Sequence, residues 1–154
     1  MLHFSIGRSI ALVIVLLSLG TGLTAAQSAD GQAKRLALKG YDPVSYFVLG
    51  KPTEGKENFE FVFDGYRYRF SSPGHMDSFK ADPDKYAPQF GGTCTAGLSH
   101  GVKIEANPLL WRIIDGKLYV FSGETMPKEV ESDPAEVVRK ASKNWPTLRD
   151  KPIQ

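Results

Sequence analysis

Apolar and polar positions alternate with a period of two from Asn58 to Phe70. Phe59, Phe61 and Phe63 share one face, and Tyr66, Tyr68 and Phe70 continue the pattern beyond Asp64-Gly65. Two such runs joined by Asp-Gly predict a β-hairpin. Arg67 and Arg69 fall opposite the aromatics, so one face is wet and the other is core. A second hairpin is predicted from Trp111, Ile113 and Ile114 through Asp115-Gly116 to Leu118, Val120 and Phe121. Between the two, the period lengthens. Ser71 or Ser72 can cap a helix opening at Pro73, with Met76 and Phe79 three apart on one side. Asp82-Pro83 restarts a short helix carrying Tyr86, and Pro88 ends it. Asp133-Pro134 opens a helix from Ala135 to about Asn144, with Val137, Val138 and Ala141 at helical spacing and Trp145 closing it before Pro146. Upstream, Lys39-Gly40-Tyr41-Asp42-Pro43 reads as a turn that opens one helical turn, with Asp42 as its cap. No repeat is evident beyond the two hairpins. The expected fold is α+β, an antiparallel sheet built from two hairpins with short helices packed around it.

The leader, Met1 to Ala26, changes the picture of where this domain resides. Arg8 heads an apolar run from Ile10 to Leu19 that ends at Gly20 and leads to Thr24-Ala25-Ala26. That layout is a secretory signal peptide with a cut before Gln27, and the run is shorter than the roughly 20 residues a membrane span needs. The expectation is a periplasmic or secreted protein with residues 27–154 as a single domain and no membrane span after cleavage. Arg8 is the only charged residue of the leader, so its removal takes the formal charge from +2 to +1. Lysines and acids are interleaved throughout, which excludes the concentrated positive field that nucleic acid requires.

Cys94 is the only cysteine, so an internal disulfide is excluded. In an oxidising compartment a lone thiol is buried, paired with another molecule, bound to metal or reactive. It lies in Asp64–Gly101, the stretch that also holds His75 and His100, and Gly91-Gly92 and Gly97 bracket it. Three readings follow. His75, Cys94, His100 and Met76 offer nitrogen and sulfur to a soft metal such as copper, although no closely spaced zinc pattern is present. Cys94 with His75 or His100 as its base would be a nucleophilic thiol. A non-catalytic module binding a partner protein is the third reading, with Tyr41, Tyr46 and Trp145 available to line a groove. No Gly-x-Ser-x-Gly elbow and no phosphate-cradling loop is present, which weighs against an enzyme.

The segment Gly65-Tyr66-Arg67-Tyr68-Arg69-Phe70-Ser71-Ser72, with His75, Phe79, Asp82-Pro83 and Tyr86 after it and Asp42-Pro43-Val44 before it, resembles the YHS domain family. The likeness is to the exported form with a C-terminal helical extension. The resemblance implies a small α+β domain and a role in binding metal, copper above all. It also implies where the ligands would be, since relatives place cysteines where Ser45, Ser71 and His75 stand. Of the three, His75 alone carries a soft-metal ligand. The reading taken forward is a non-enzymatic exported module with metal binding as its specific activity, and partner binding without metal as the alternative.

Overall fold

Asp64 and Gly65 both adopt positive φ (44° and 77°), as do Asp115 and Gly116 (50° and 72°). This is the backbone a tight hairpin turn demands, and the short polar Asp and the Cβ-free Gly tolerate it best. In the computed structural model, which describes residues 35–154, each turn joins two antiparallel strands. The expected leader, residues 1–26, lies outside the described residues. The first hairpin is β2 (Lys56–Phe63) and β3 (Tyr66–Phe70); the second is β4 (Asn107–Ile114) and β5 (Lys117–Phe121). The two hairpins do not merge into one sheet. A very short strand, β1 (Arg35–Leu36), pairs parallel with β3 to give the order β1-β3-β2, and β4-β5 stands as a separate pair.

The helices start where caps are available. Ser72 accepts from the His75 amide at the head of α2 (Pro73–Ala81). Asp82 accepts from the Lys85 amide at the head of α3 (Pro83–Tyr86), and Asp133 from the Glu136 amide at the head of α6 (Pro134–Leu148). Shorter helices are α1 (Ser45–Val48), α4 (Thr95–Ser99) and α5 (Lys128–Ser132). The expected end of α6 at Trp145 is corrected: the helix runs through Pro146 to Leu148. Proline removes one donor, yet the Arg149 amide still reaches the Trp145 carbonyl at 2.9 Å and Thr147 Oγ1 donates to the Asn144 carbonyl at 2.9 Å. Burial of Leu148 beside Leu98 and Ala141 offsets the lost bond.

Phe79 organises the core beneath the first hairpin. Its ring meets those of Phe61, Phe63, Tyr68 and Phe70 at centroid separations from 4.8 to 6.3 Å. On the opposite face Arg69 pairs with Glu60 at 2.7 Å and with Glu57 at 3.0 Å, the wet face predicted from the alternation. The second hairpin is buried more deeply. Leu118, Val120 and Phe121 have no exposed surface, and Cys94, Tyr46 and Val130 share their cluster.

The pairing pattern of the first hairpin recurs in the second at one fixed displacement, that from Lys56 to Asn107. Lys56 faces Phe70 and Asn107 faces Phe121; Glu60 faces Arg69 and Trp111 faces Val120; Phe63 faces Tyr66 and Ile114 faces Lys117. Both hairpins break register at the same place, between the first two of these pairs. The likeness extends beyond the strands. Left-handed turns precede both short helices, at Leu38, Lys39 and Gly40 and at Phe90, Gly91 and Gly92. An antiparallel bridge then follows each turn, Tyr41 with Glu54 and Thr93 with Glu105. The sequence shows two hairpins; the repetition in the structure covers their flanks as well.

Candidate functional site

Asp42 is a fully buried carboxylate, and the chain around it is built to supply donors. Pro43 contributes none, and the turn it fixes directs the Val44 amide onto Asp42 Oδ1 at 2.9 Å. Ser45 Oγ donates to the Asp42 carbonyl at 2.7 Å and accepts from the Thr53 amide at 3.1 Å, which ties α1 to the loop before β2. The other carboxylate oxygen, Oδ2, faces the end of β3. There Ser71 donates both its amide at 2.9 Å and its hydroxyl at 2.6 Å. Because Ser72 caps α2, the first helical turn brings His75 back over the same oxygen, with Nδ1 at 2.6 Å.

A carboxylate can only accept, so the Asp42–His75 contact fixes Nδ1 as the protonated ring nitrogen and leaves Nε2 as the free one. Asp42 has no exposed surface, while the His75 side chain is 18% exposed. The result is a buried anion with four donors and a single imidazole edge facing outward. Ser71 Oγ lies 3.2 Å from Nδ1, on the inner side of the ring, and is bonded to the carboxylate. It is therefore not arranged as a nucleophile activated by Nε2.

The YHS domain family model matches residues 44–90. This stretch is similar to a YHS domain. No curated protein and no solved structure matches the chain. The YHS match takes in Ser45, Ser71 and His75, and the structure gathers all three around Asp42, although a whole hairpin of chain separates the first from the last.

The donor set suits the metal that the YHS resemblance implies only in part. Serine hydroxyls are poor ligands for a soft ion, and both are turned toward Asp42. The carboxylate is occupied by its own donors. Among the described residues no group of three or more His, Cys, Asp or Glu side chains converges on a common ion position. The cluster fits attachment of a metal through one imidazole and does not fit a closed centre. A carboxylate behind an imidazole is the arrangement that orients metal-binding histidines.

The four sequence candidates fall in separate environments. His75 belongs to the cluster just described. Met76, the next residue of α2, is half-buried against the Phe79 core. Cys94 is 1% exposed, and its sulfur accepts from the Gly97 amide at 3.3 Å, the Ser122 amide at 3.2 Å and the Ser122 hydroxyl at 3.1 Å. None of these partners is an imidazole. His100, at the far end of α4, is exposed, with Nε2 3.3 Å from Glu129. There the carboxyl of Glu129 is held below its usual range by the amide of its own residue and by His100. The structure thus brings neither histidine to the thiol, and the expected Cys–His pairing, for metal or for nucleophilic chemistry, is absent among the described residues.

The expected aromatic groove is also divided. Tyr46 is sealed in the core, donating to the Pro108 carbonyl at 2.9 Å and packed edge-on to Trp111, and its burial raises its pKa. Trp145 lies elsewhere, in an open cleft of about 370 Å³ with Arg35, Tyr66 and Arg149.

The residues that sequence reasoning misses are Asp42 and Ser71 as members of one cluster. Each has a sufficient local explanation as a cap. The signal that could find them is Asp-Pro-Val together with a serine and a histidine four positions apart at the end of the aromatic strand.

Proposed function

We propose that the protein is an exported, non-enzymatic YHS module that takes up a soft cation, copper in the first instance, through the Nε2 of His75. The observation that carries this is the 2.6 Å contact between His75 Nδ1 and Asp42 Oδ2, which holds the ring in one tautomer and leaves its outer nitrogen free. One imidazole gives weak, open attachment. The remaining ligands come from water or from the molecule that delivers or accepts the ion, which suits transfer better than storage. Cys94 takes no part in this site.

Titration of the purified protein with copper, in the cuprous state under reductant and in the cupric state without it, tests the proposal. The expected result is one equivalent that perturbs the His75 ring resonances, is lost in His75→Ala and is unchanged in Cys94→Ala. Binding that survives His75→Ala overturns it.

A second reading is a periplasmic docking module that binds a partner without metal. It is favoured by Val48 and Leu49, which close α1 at 60% and 49% exposure. Copper titration that leaves His75 unmoved, with partner capture lost in Val48→Asp, would support this reading over the first.

A further inference from the structure

We infer that residues 88–137 are a second copy of the unit formed by residues 36–86, and that Cys94 with Ser122 stands where Asp42 with Ser71 stands in the first. The inference does not depend on metal binding. It rests on the displaced hairpin register and on four features outside the hairpins. Leu36 bridges in parallel to Arg67 in β3, and Pro88 bridges in parallel to Leu118 in β5. Each unit then makes its left-handed turn and antiparallel bridge. Asp82-Pro83 and Asp133-Pro134, related by the same displacement as the hairpins, each restart a helix with the aspartate as cap. Core positions correspond too: Val44 with Ala96, Tyr46 with Leu98 and Phe79 with Val130 are all buried. The first two pairs, like Asp42 with Cys94, are offset by one residue more than the hairpins, because the loop before β4 is one residue shorter than that before β2. A hairpin turn alone would recur by chance, because Asp-Gly is among the commonest signals for it. An ordered series of bridges, a shared register break and matched helix starts would not.

The hydrogen bonds identify the counterpart site. Ser71 gives its amide and hydroxyl to Asp42 Oδ2. Ser122 gives its amide and hydroxyl to Cys94 Sγ. An amide at the following short helix adds a further donor in each unit, Val44 to Asp42 and Gly97 to Cys94. The exchange of acceptor comes with a second exchange. The displacement that carries Ser71 onto Ser122 carries His75 onto Met126, which packs on the core cluster that contains Cys94. A buried carboxylate needs strong donors on both oxygens, one of which the His75 ring N–H supplies, whereas a thiol accepts weak hydrogen bonds without them. Asp with His in one unit and Cys with Met in the other are therefore two self-consistent solutions to the same buried corner. The lone cysteine is neither a leftover disulfide partner nor a nucleophile. It is the sulfur acceptor that closes the second unit.

The test transplants the first solution into the second unit of the full chain. Cys94→Asp supplies a carboxylate to three waiting donors but no imidazole N–H, and a large drop in the thermal midpoint is expected. Cys94→Asp/Met126→His supplies both, and at least half of that drop should be recovered. Ala96→Asp/Met126→His places the carboxylate further along the chain, without the Ser122 donors, and should recover nothing. Equal destabilisation of the first two variants overturns the assignment. A milder measurement stands beside it. Amide exchange at Ser122 should quicken at least tenfold in Cys94→Ala and much less in Cys94→Ser, and an unchanged rate in Cys94→Ala also overturns the assignment.

Discussion

His75 Nδ1 lies 2.6 Å from Asp42 Oδ2, and the carboxylate it faces has no solvent-exposed surface. A buried charge of this kind is held by its partners, and the partners in turn hold three separate pieces of chain. The turn before α1, the end of β3 and the first turn of α2 all meet at one side chain.

Asp42→Ala should therefore cost roughly 3–5 kcal/mol, the range for removing one member of a buried pair. The Ser71 amide, the Val44 amide and the His75 ring all lose their acceptor at once. Asp42→Asn should cost less, because Oδ1 can still accept from Val44, but its amide nitrogen faces the Ser71 donors. Urea unfolding of the two variants against wild type measures both. A change within about 0.5 kcal/mol for Asp42→Ala, the scale that surface substitutions reach, would show that the cluster does not hold the fold.

Phe79→Ala should cost roughly 3–5 kcal/mol, the range for deleting a buried aromatic ring. Four aromatic neighbours lose their common contact. Phe79→Leu retains most of the volume and should cost about half as much. Near-ultraviolet circular dichroism, which reports packed aromatic rings, should lose more signal in the alanine variant than in the leucine variant.

How much of this can be read from the sequence follows from how local each signal is. Period-two alternation and Asp-Gly turns place both hairpins, and Ser72, Asp82 and Asp133 mark three helix starts, because those signals act within a few residues. A local proline rule misplaces the end of α6 because the burial of Leu148 outweighs it. The Asp42 cluster is hidden for a different reason. Its members lie 29 and 33 residues from Asp42, and from sequence alone Asp42 and Ser71 each read adequately as a cap. Cys94 is open between several fates until Ser122, 28 residues away, is seen to fill its surroundings. The second unit escapes a reading of the sequence because it keeps geometry rather than residue type: cysteine stands for aspartate, valine for phenylalanine, and the bridges remain.

Gly91 is required by a neighbour as well as by its own backbone. Its φ is +61°, and a Cβ there would run into Tyr66 Oη and sit 2.6 Å from Cζ. Gly91→Ala should cost about 1–2 kcal/mol for the left-handed conformation and roughly 1–3 kcal/mol more for the clash. In a Tyr66→Ala background only the first cost remains. A double-mutant cycle by urea unfolding should return a coupling of at least about 1 kcal/mol between the two sites; additive losses would remove Tyr66 as the reason for the glycine.

At low pH the ion pair on α6 gives a signed expectation. The carboxyl of Glu136 is pulled down to about 2 by its hydrogen bonds to the Arg139 guanidinium, with the charge of Arg139 and then Lys140 adding to it. A depressed carboxyl stabilises the folded state above the unfolded pKa of about 4.3, and that contribution is lost as pH falls through the folded value. Solvent screening keeps it small. Glu136→Gln should flatten the fall of the thermal midpoint between pH 4 and 2, and an unchanged slope would show that the pair contributes nothing.

At high pH two kinds of group act in opposite directions. Lys103 is nearly sealed, with Nζ donating to the carbonyls of Arg149 at 2.5 Å and Lys151 at 2.7 Å, where it holds the end of α6. Burial, and then the charge of Arg35, push its pKa below the usual lysine value. The unfolded chain thus holds that proton more tightly than the folded one, and stability rises with pH from the lowered value up to about 10.4. Tyr46, Tyr68 and Tyr119 are pushed up by burial. They keep their protons when folded and lose them near pH 10 when unfolded, so stability falls as pH climbs through that value. Three tyrosines against one lysine make the net alkaline slope negative above pH 10. Lys103→Met removes the opposing contribution and should make the loss start at lower pH, in denaturant titrations at half-unit steps from pH 8 to 11. If the variant and wild type fall along parallel curves, Lys103 is not titrating against the fold, and its ammonium serves only to hold the two carbonyls.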